Sequence, residues 1–127
     1  MDLTSVEFQM TDNILIARIT GDLDHHSARY VREQIDDAMR AFFAKHLVLD
    51  LSGMAFMDSS GIGVVMGRYN KVRDKGGTIY ITGCSEYVKR ILDMAGIFTI
   101  TRREETTADA VDSIQGNVAM QMKMEVI

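Results

Sequence analysis

The chain has 127 residues, of which 46% are hydrophobic and 25% charged, and a formal net charge of −4 at pH 7. That length supports one domain with its own core rather than two, and the negative balance without any basic cluster argues against nucleic acid as a partner. The single cysteine, Cys84, excludes an internal disulfide, and no apolar run approaches the ~18 residues of a membrane span. With no signal-peptide core in Met1-Asp2-Leu3-Thr4, a soluble cytoplasmic protein with no membrane partner is expected.

In chain order, Val6–Met10 and Ile14–Thr20 are two strand-like runs separated by Thr11-Asp12-Asn13, which predicts a hairpin. In the second run Leu15, Ala17 and Ile19 form a strongly apolar face. Gly21-Asp22-Leu23-Asp24-His25-His26-Ser27 breaks the pattern. Ala28, Val31, Ile35, Ala38, Met39 and Phe42 then recur at helical spacing, giving a helix from near Ser27 to Phe43. Leu47–Leu51 is almost continuously apolar and reads as a strand buried on both faces.

Met57-Asp58-Ser59-Ser60-Gly61-Ile62-Gly63 follows as a short loop entering a second helix, with Asp58, Ser59 and Ser60 all good N-cap types. Ile62, Val65, Met66, Tyr69 and Val72 are its expected buried stripe. Ser60, Gly63, Val64, Gly67, Lys71 and Asp74 fall opposite. Two glycines inside a helix each cost ~1 kcal/mol against alanine, so this outer face reads as room for another backbone to approach.

Gly76-Gly77 ends that helix and Thr78–Thr82 forms a strand parallel to the previous one, through a right-handed crossover. Ser85 caps a short helix through Ala95, with Gly96 at C′. Ile97–Arg102 reads as a last strand, and Thr106 or Thr107 opens a final helix with Val111, Ile114 and Val118 on its apolar side. For the methionine-rich tail 117–127, helix continuation, an extra strand and a loose tail are all open. The expected architecture is a single α/β domain over residues 1–116: a mixed sheet of four to five strands with about four covering helices, and a tail at 117–127, disorder being its simplest state.

Enzyme chemistries fit poorly. Gly61-x-Gly63-x-x-x-Gly67 has the wrong order for a dinucleotide fingerprint, no Gly-Lys-Ser/Thr phosphate loop occurs, and no glycine stands two residues before Ser59 or Ser60. Asp22, Asp24, His25 and His26 have no second cluster to complete a metal site, so a polar loop with a capping aspartate is the simpler reading and neither metal nor cofactor is expected. For Ser59 and Ser60, plain capping competes with modification. No base lies near either serine in sequence, so a reaction at the hydroxyl needs an outside enzyme, and a helix N-terminus tolerates a phosphate.

Phe56-Met57-Asp58-Ser59-Ser60-Gly61-Ile62-Gly63, continuing to Gly67-Arg68-Tyr69, resembles the phosphorylation loop and helix of the STAS-domain anti-anti-sigma factors. Gly21-Asp22-Leu23-Asp24-His25-His26 is similar to that family's second signature, and Val88–Phe98 to its third. The likeness runs from about Val6 to Ile114, and the intact His25-His26 pair is most like the sporulation type. The resemblance implies a protein that binds an anti-sigma factor serine kinase, acts on the sigma factor only indirectly, is phosphorylated at Ser59 and is restored by a PP2C-type phosphatase. It implies that Asp58, Ser60, Gly61 and Gly63 shape the acceptor loop, and that Asp24, His25 and His26 contact the kinase. Val64, Gly67 and Arg68 are added as partner contacts from the helical wheel alone. The alternative is a small-ligand or nucleotide-binding module that uses the helix N-terminus after Ser59 as an anion seat. A transporter-associated STAS domain is not expected, since no transmembrane segment accompanies it.

Overall fold

The structure, a computed structural model, describes residues 3–126, with side chains described as far as Gly116. Strands β1 (Ser5–Thr11) and β2 (Ile14–Leu23) form the hairpin, paired antiparallel from Ser5↔Thr20 to Thr11↔Ile14. Helix α1 (Ala28–Ala41) leads to β3 (His46–Met57), α2 (Ser59–Asp74) to β4 (Ile79–Thr82), and α3 (Glu86–Met94) to β5 (Arg102–Glu104), before α4 (Thr107–Val126). The sheet order is β1-β2-β3-β4-β5, with every pair after the hairpin parallel. This is a single α/β domain with a five-stranded mixed sheet and four helices.

The double apolar character of β2 and β3 has a direct consequence, because successive side chains point to opposite faces. Leu15, Ala17, Ile19, Leu47, Leu49 and Leu51 face one core with Val31 and Ile35 of α1, Val65 and Val72 of α2, and Val88 and Leu92 of α3. Ile14, Val48 and Tyr80 face the other, closed by Ala110 and Ile114 of α4. Each fully buried Leu or Ile contributes ~1.5–3 kcal/mol relative to exposure. These two layers hold the strand ends that carry the site.

Three boundaries differ from the sequence expectation. Strand β2 does not stop at Thr20 and β3 does not stop at Leu51; both run on to the pair Leu23↔Met57. Register shifts between Arg18/Thr20 and Gly21/Asp22 let them continue through residues of low strand propensity. At Gly53 a Cβ would lie 2.8 Å from Thr20 Oγ1, so the glycine permits the close approach. The expected strand Ile97–Arg102 is instead a 3₁₀ turn, Ile97–Thr99, followed by β5 from Arg102. The Thr99 and Thr101 hydroxyls donate back to Gly96 O and Ile97 O (2.5 and 2.9 Å), satisfying carbonyls locally. In the segment expected as a tail, the backbone continues as α4 to Val126. The expectation for Val118 lies outside the described side chains.

A further difference is rotational. Helix α2 buries Gly61, Val64, Val65, Arg68 and Val72, while Met66, expected inside, is 38% exposed. The buried arc is turned because Arg68, which a hydropathy wheel places in solvent, goes inward to meet Asp36 of α1. Val64, assigned to the outer face, and Arg68, added as a partner contact, are therefore both buried, at 5% and 4% exposure. Gly63 is exposed and Gly67 half-buried, and a Cβ on either would meet nothing within 4 Å.

Candidate functional site

The parallel register ends at Leu23↔Met57, so the next residues of the two strands, Asp24 and Asp58, leave the sheet side by side. Asp58 N donates to Leu23 O at 3.3 Å and ties the two exits together. Asp58 opens a helix directly, whereas Asp24 opens the turn that leads to Ser27, the N-cap of α1. Asp58 is the N-cap of α2 (φ −123°, ψ −167°); its Oδ1 accepts the Ser60 N–H at 2.8 Å, and its carbonyl accepts Gly61 and Ile62 N–H at 3.0 and 3.2 Å. Ser59 is the first residue of α2 and is exposed, whereas Ser60 is half-buried.

Gly61 is the point of closest packing. A Cβ there would lie 2.7 Å from Met57 Cγ and 2.8 Å from Leu23 O, a backbone atom. Only glycine lets the first turn of α2 sit against the end of β2, and that seat sets where Ser59 emerges.

Asp24 builds the neighbouring turn. Its Oδ1 accepts His26 N and Ser27 N at 2.9 and 3.1 Å, and the Ser27 hydroxyl donates to Asp22 O at 2.7 Å. Desolvation pushes the Asp24 carboxyl upward, but the Ser27 and His26 N–H groups, helped by the Ser27 hydroxyl and the nearby His26, outweigh it and hold the carboxyl below its ordinary value of 3.8. His25 and His26 are exposed, and their rings do not diverge: the centroids are 4.1 Å apart. Among the described residues no group of His, Cys, Asp and Glu could hold a metal ion.

The helices that follow β2, β3, β4 and β5 all start at this same end of the sheet. Four positive dipole ends therefore lie at this one end of the sheet, and side chains answer three of them: Asp58 (accepting Ser60 N, 2.8 Å), Ser85 (accepting Val88 N, 3.2 Å) and Thr106 (accepting Asp109 N, 3.1 Å). The end is acidic in side chains and electropositive in backbone.

Two residues were given no role of their own in the sequence reading. Phe56, at the end of β3, and Tyr87, in the first turn of α3, are 41% and 46% exposed, with ring centroids 6.2 Å apart. The Tyr87 hydroxyl lies 3.5 Å from Met57 O, so the aromatic pair flanks the acceptor loop on the side away from α1. Val88, Leu92 and Ile91 pointing inward already imply that Tyr87 faces out. Nothing in the spacing indicates that Phe56 ends a long strand.

Of the other expected site residues, Arg68 is a tie between helices. Its Nε lies 2.9 Å from Asp36 Oδ1, and Lys71 Nζ holds Asp36 Oδ2 at 2.9 Å. Burial lowers the Arg68 pKa, Asp36 works against that, and Arg32 adds to the lowering. Beside the site, a cleft of about 450 Å³ is lined by Gly83, Cys84, Glu86, Lys89, Arg103, Glu104 and Glu105. Three carboxylates against two cations make it a poor seat for an anion, and burial pushes the Cys84 thiol up to about 11. No helix among the described residues is long and apolar enough to cross a membrane.

The STAS domain profile matches residues 5–113. The chain is 37% identical over 110 residues to the anti-sigma F factor antagonist of Paenibacillus polymyxa, covering 87% of this chain and 94% of that one. Its fold is similar to the anti-sigma factor antagonist SpoIIAA in its unphosphorylated form, with a TM-score of 0.71, 24% identity and coverage of 88% and 99%. It is also similar to the Bacillus cell fate determinant SpoIIAA in the phosphorylated form, with a TM-score of 0.69, 24% identity and coverage of 87% and 99%.

Proposed function

Because this chain belongs to the STAS domain family, we propose that it is an anti-sigma factor antagonist switched at Ser59. In its unphosphorylated form it binds an anti-sigma factor that is also a serine kinase, and so frees the sigma factor. The kinase transfers the γ-phosphoryl group of ATP to Ser59 Oγ: the O–P bond forms as the bond to ADP breaks, and the hydroxyl proton leaves to a base on the kinase. A PP2C-type phosphatase hydrolyses the ester and restores the binding form. This chain supplies the acceptor and the docking surface and performs no catalysis of its own.

The observation that carries the reading is the placement of Ser59: exposed, first in a capped helix, and beside the paired strand exits that bear Asp24 and Asp58. A phosphate at that position lies at the positive end of α2, worth ~0.3–1 kcal/mol, so the modified chain stays folded. Against a docked partner the same phosphate, close to two carboxylates, becomes a desolvated and repelled charge. Asp58, Ser60, Gly61 and Gly63 shape the loop, Asp24, His25 and His26 form one rim, and the open Gly63–Gly67 face admits the partner's backbone. Val64 and Arg68 serve this surface from beneath by seating α2.

The direct test is calorimetric titration of the anti-sigma kinase with the wild type, Ser59→Ala and Ser59→Asp. Binding by the first two and its loss in Ser59→Asp, all with unchanged circular dichroism, is the expected pattern. Equal affinity of all three would reject the switch.

A further inference from the structure

The fold presents different chemistry on the two sides of Ser59. Toward α1 stand Asp24, His25 and His26, a polar rim. Toward α3 stand Phe56 and Tyr87, and local structure holds both in the open. At the end of β3, Met57 turns into the core at 1% exposure, while its neighbour Phe56 stays outside at 41%. In α3 the Ser85 hydroxyl caps the Val88 N–H (3.2 Å), and Val88 and Leu92 turn fully inward. Tyr87 is left on the outer side at 46% exposure. The two rings lie 6.2 Å apart, within the range of an aromatic pair. Neither ring belongs to either core, so the fold closes without them.

The pair is continuous with the acceptor loop. Phe56 stands three residues before Ser59 in the same strand-to-helix connection, which keeps their Cα atoms within ~12 Å. The Tyr87 hydroxyl donates to Met57 O, two residues before Ser59, at 3.5 Å. A stable protein interface takes ~800 Å² from each partner, far more than one serine and its turn supply. A kinase that brings the γ-phosphate of ATP to Ser59 Oγ therefore covers these neighbours as well. Exposed tyrosine and phenylalanine on fixed backbone are suited to anchor it, because aromatic side chains concentrate binding energy at interface centres.

Resting on the reading of Ser59 as the acceptor, we propose that Phe56 and Tyr87 form an aromatic anchor for the anti-sigma kinase, receiving apolar side chains that the kinase carries beside its ATP site. The polar rim on the α1 side sets orientation, and the aromatic rim on the α3 side supplies affinity.

Calorimetric titration of the ADP-bound anti-sigma kinase with Tyr87→Ala, Tyr87→Phe and Phe56→Ala chains tests this, together with steady-state phosphorylation by ATP and mapping of the phosphate. Tyr87→Ala is expected to weaken binding about tenfold and to raise KM for the chain in step, with kcat unchanged. Phe56→Ala is expected to act in the same direction. Tyr87→Phe keeps the ring and loses only the hydrogen bond to Met57 O, so it is expected to bind as the wild type does. Tyr87 is exposed, so its variants remain informative even if Phe56→Ala disturbs the end of β3. Unchanged affinity in Tyr87→Ala overturns the anchor and leaves the Ser59 switch standing. Equal losses in Tyr87→Phe and Tyr87→Ala also overturn it, because the hydroxyl would then act by holding the loop. A wild type that binds the kinase and gains no phosphate at Ser59 overturns the acceptor reading, a failure seen in the mapped mass and not in the affinities.

Discussion

Gly61 and Gly63 are two residues apart in one helix and carry opposite demands. At Gly61 an added methyl runs into Leu23 O and Met57 Cγ, so Gly61→Ala is expected to cost about 1–3 kcal/mol in urea denaturation and to displace the Ser59 turn. At Gly63 the methyl meets nothing within 4 Å, so Gly63→Ala is expected to gain up to about 1 kcal/mol of stability. If the partner's backbone lies on that face, the same substitution weakens partner binding, a split between stability and affinity that calorimetry reads directly. His46 is a different kind of residue, buried at 5% exposure with Nδ1 accepting the Thr78 N–H at 3.1 Å. Burial first, and Lys45 second, lower its pKa below the ordinary 6.5. The unfolded chain therefore takes up the proton before the folded one does. The stability contributed by neutral His46 is complete above 6.5 and is lost as pH falls through that value toward the lower folded one. The urea midpoint is expected to drop between about pH 7.5 and 5.5, and His46→Gln to flatten that drop.

Among the elements, α2 shows what the pattern of residues could and could not tell. The capping sequence Asp58-Ser59-Ser60 and the glycines are local, and local chemistry placed the helix start; of the face read as open, Gly63 and Gly67 have room beyond them but Val64 is buried. The buried arc was turned because the partner of Arg68, Asp36, lies on another helix 32 positions earlier, and hydropathy assigns a guanidinium to solvent. Likewise the extension of β2 and β3 to Leu23 and Met57 depends on bulges and on the Gly53–Thr20 approach, which are properties of the pair and not of either strand. Phe56 gained its place in the site from that extension. The Arg68–Asp36 pair, with side chains 5% and 13% exposed, makes a prediction of its own. Asp36→Ala leaves a buried guanidinium without its counter-ion and is expected to cost about 3 kcal/mol or more in urea denaturation, whereas the Asp36→Leu/Arg68→Met double variant recovers much of the loss. A double-variant loss equal to or larger than the single one would mean that the pair does not act as a buried tie.

Across the whole molecule the parallel sheet sorts function by end. Every helix begins at the carboxyl ends of the strands, which gathers caps, carboxylates and dipole ends around Ser59, while helix ends, the hairpin turn and the exposed Phe42–Phe43 pair occupy the opposite pole. The central claim concerns the first pole: one serine, in one capped turn, carries the switch. Incubation with the anti-sigma kinase and ATP, followed by intact-mass measurement and peptide mapping, addresses it most directly. A single added phosphate mapped to Ser59 and absent from Ser59→Ala is the predicted result. A phosphate that persists in Ser59→Ala, or none at all on a chain that binds the kinase, would contradict it.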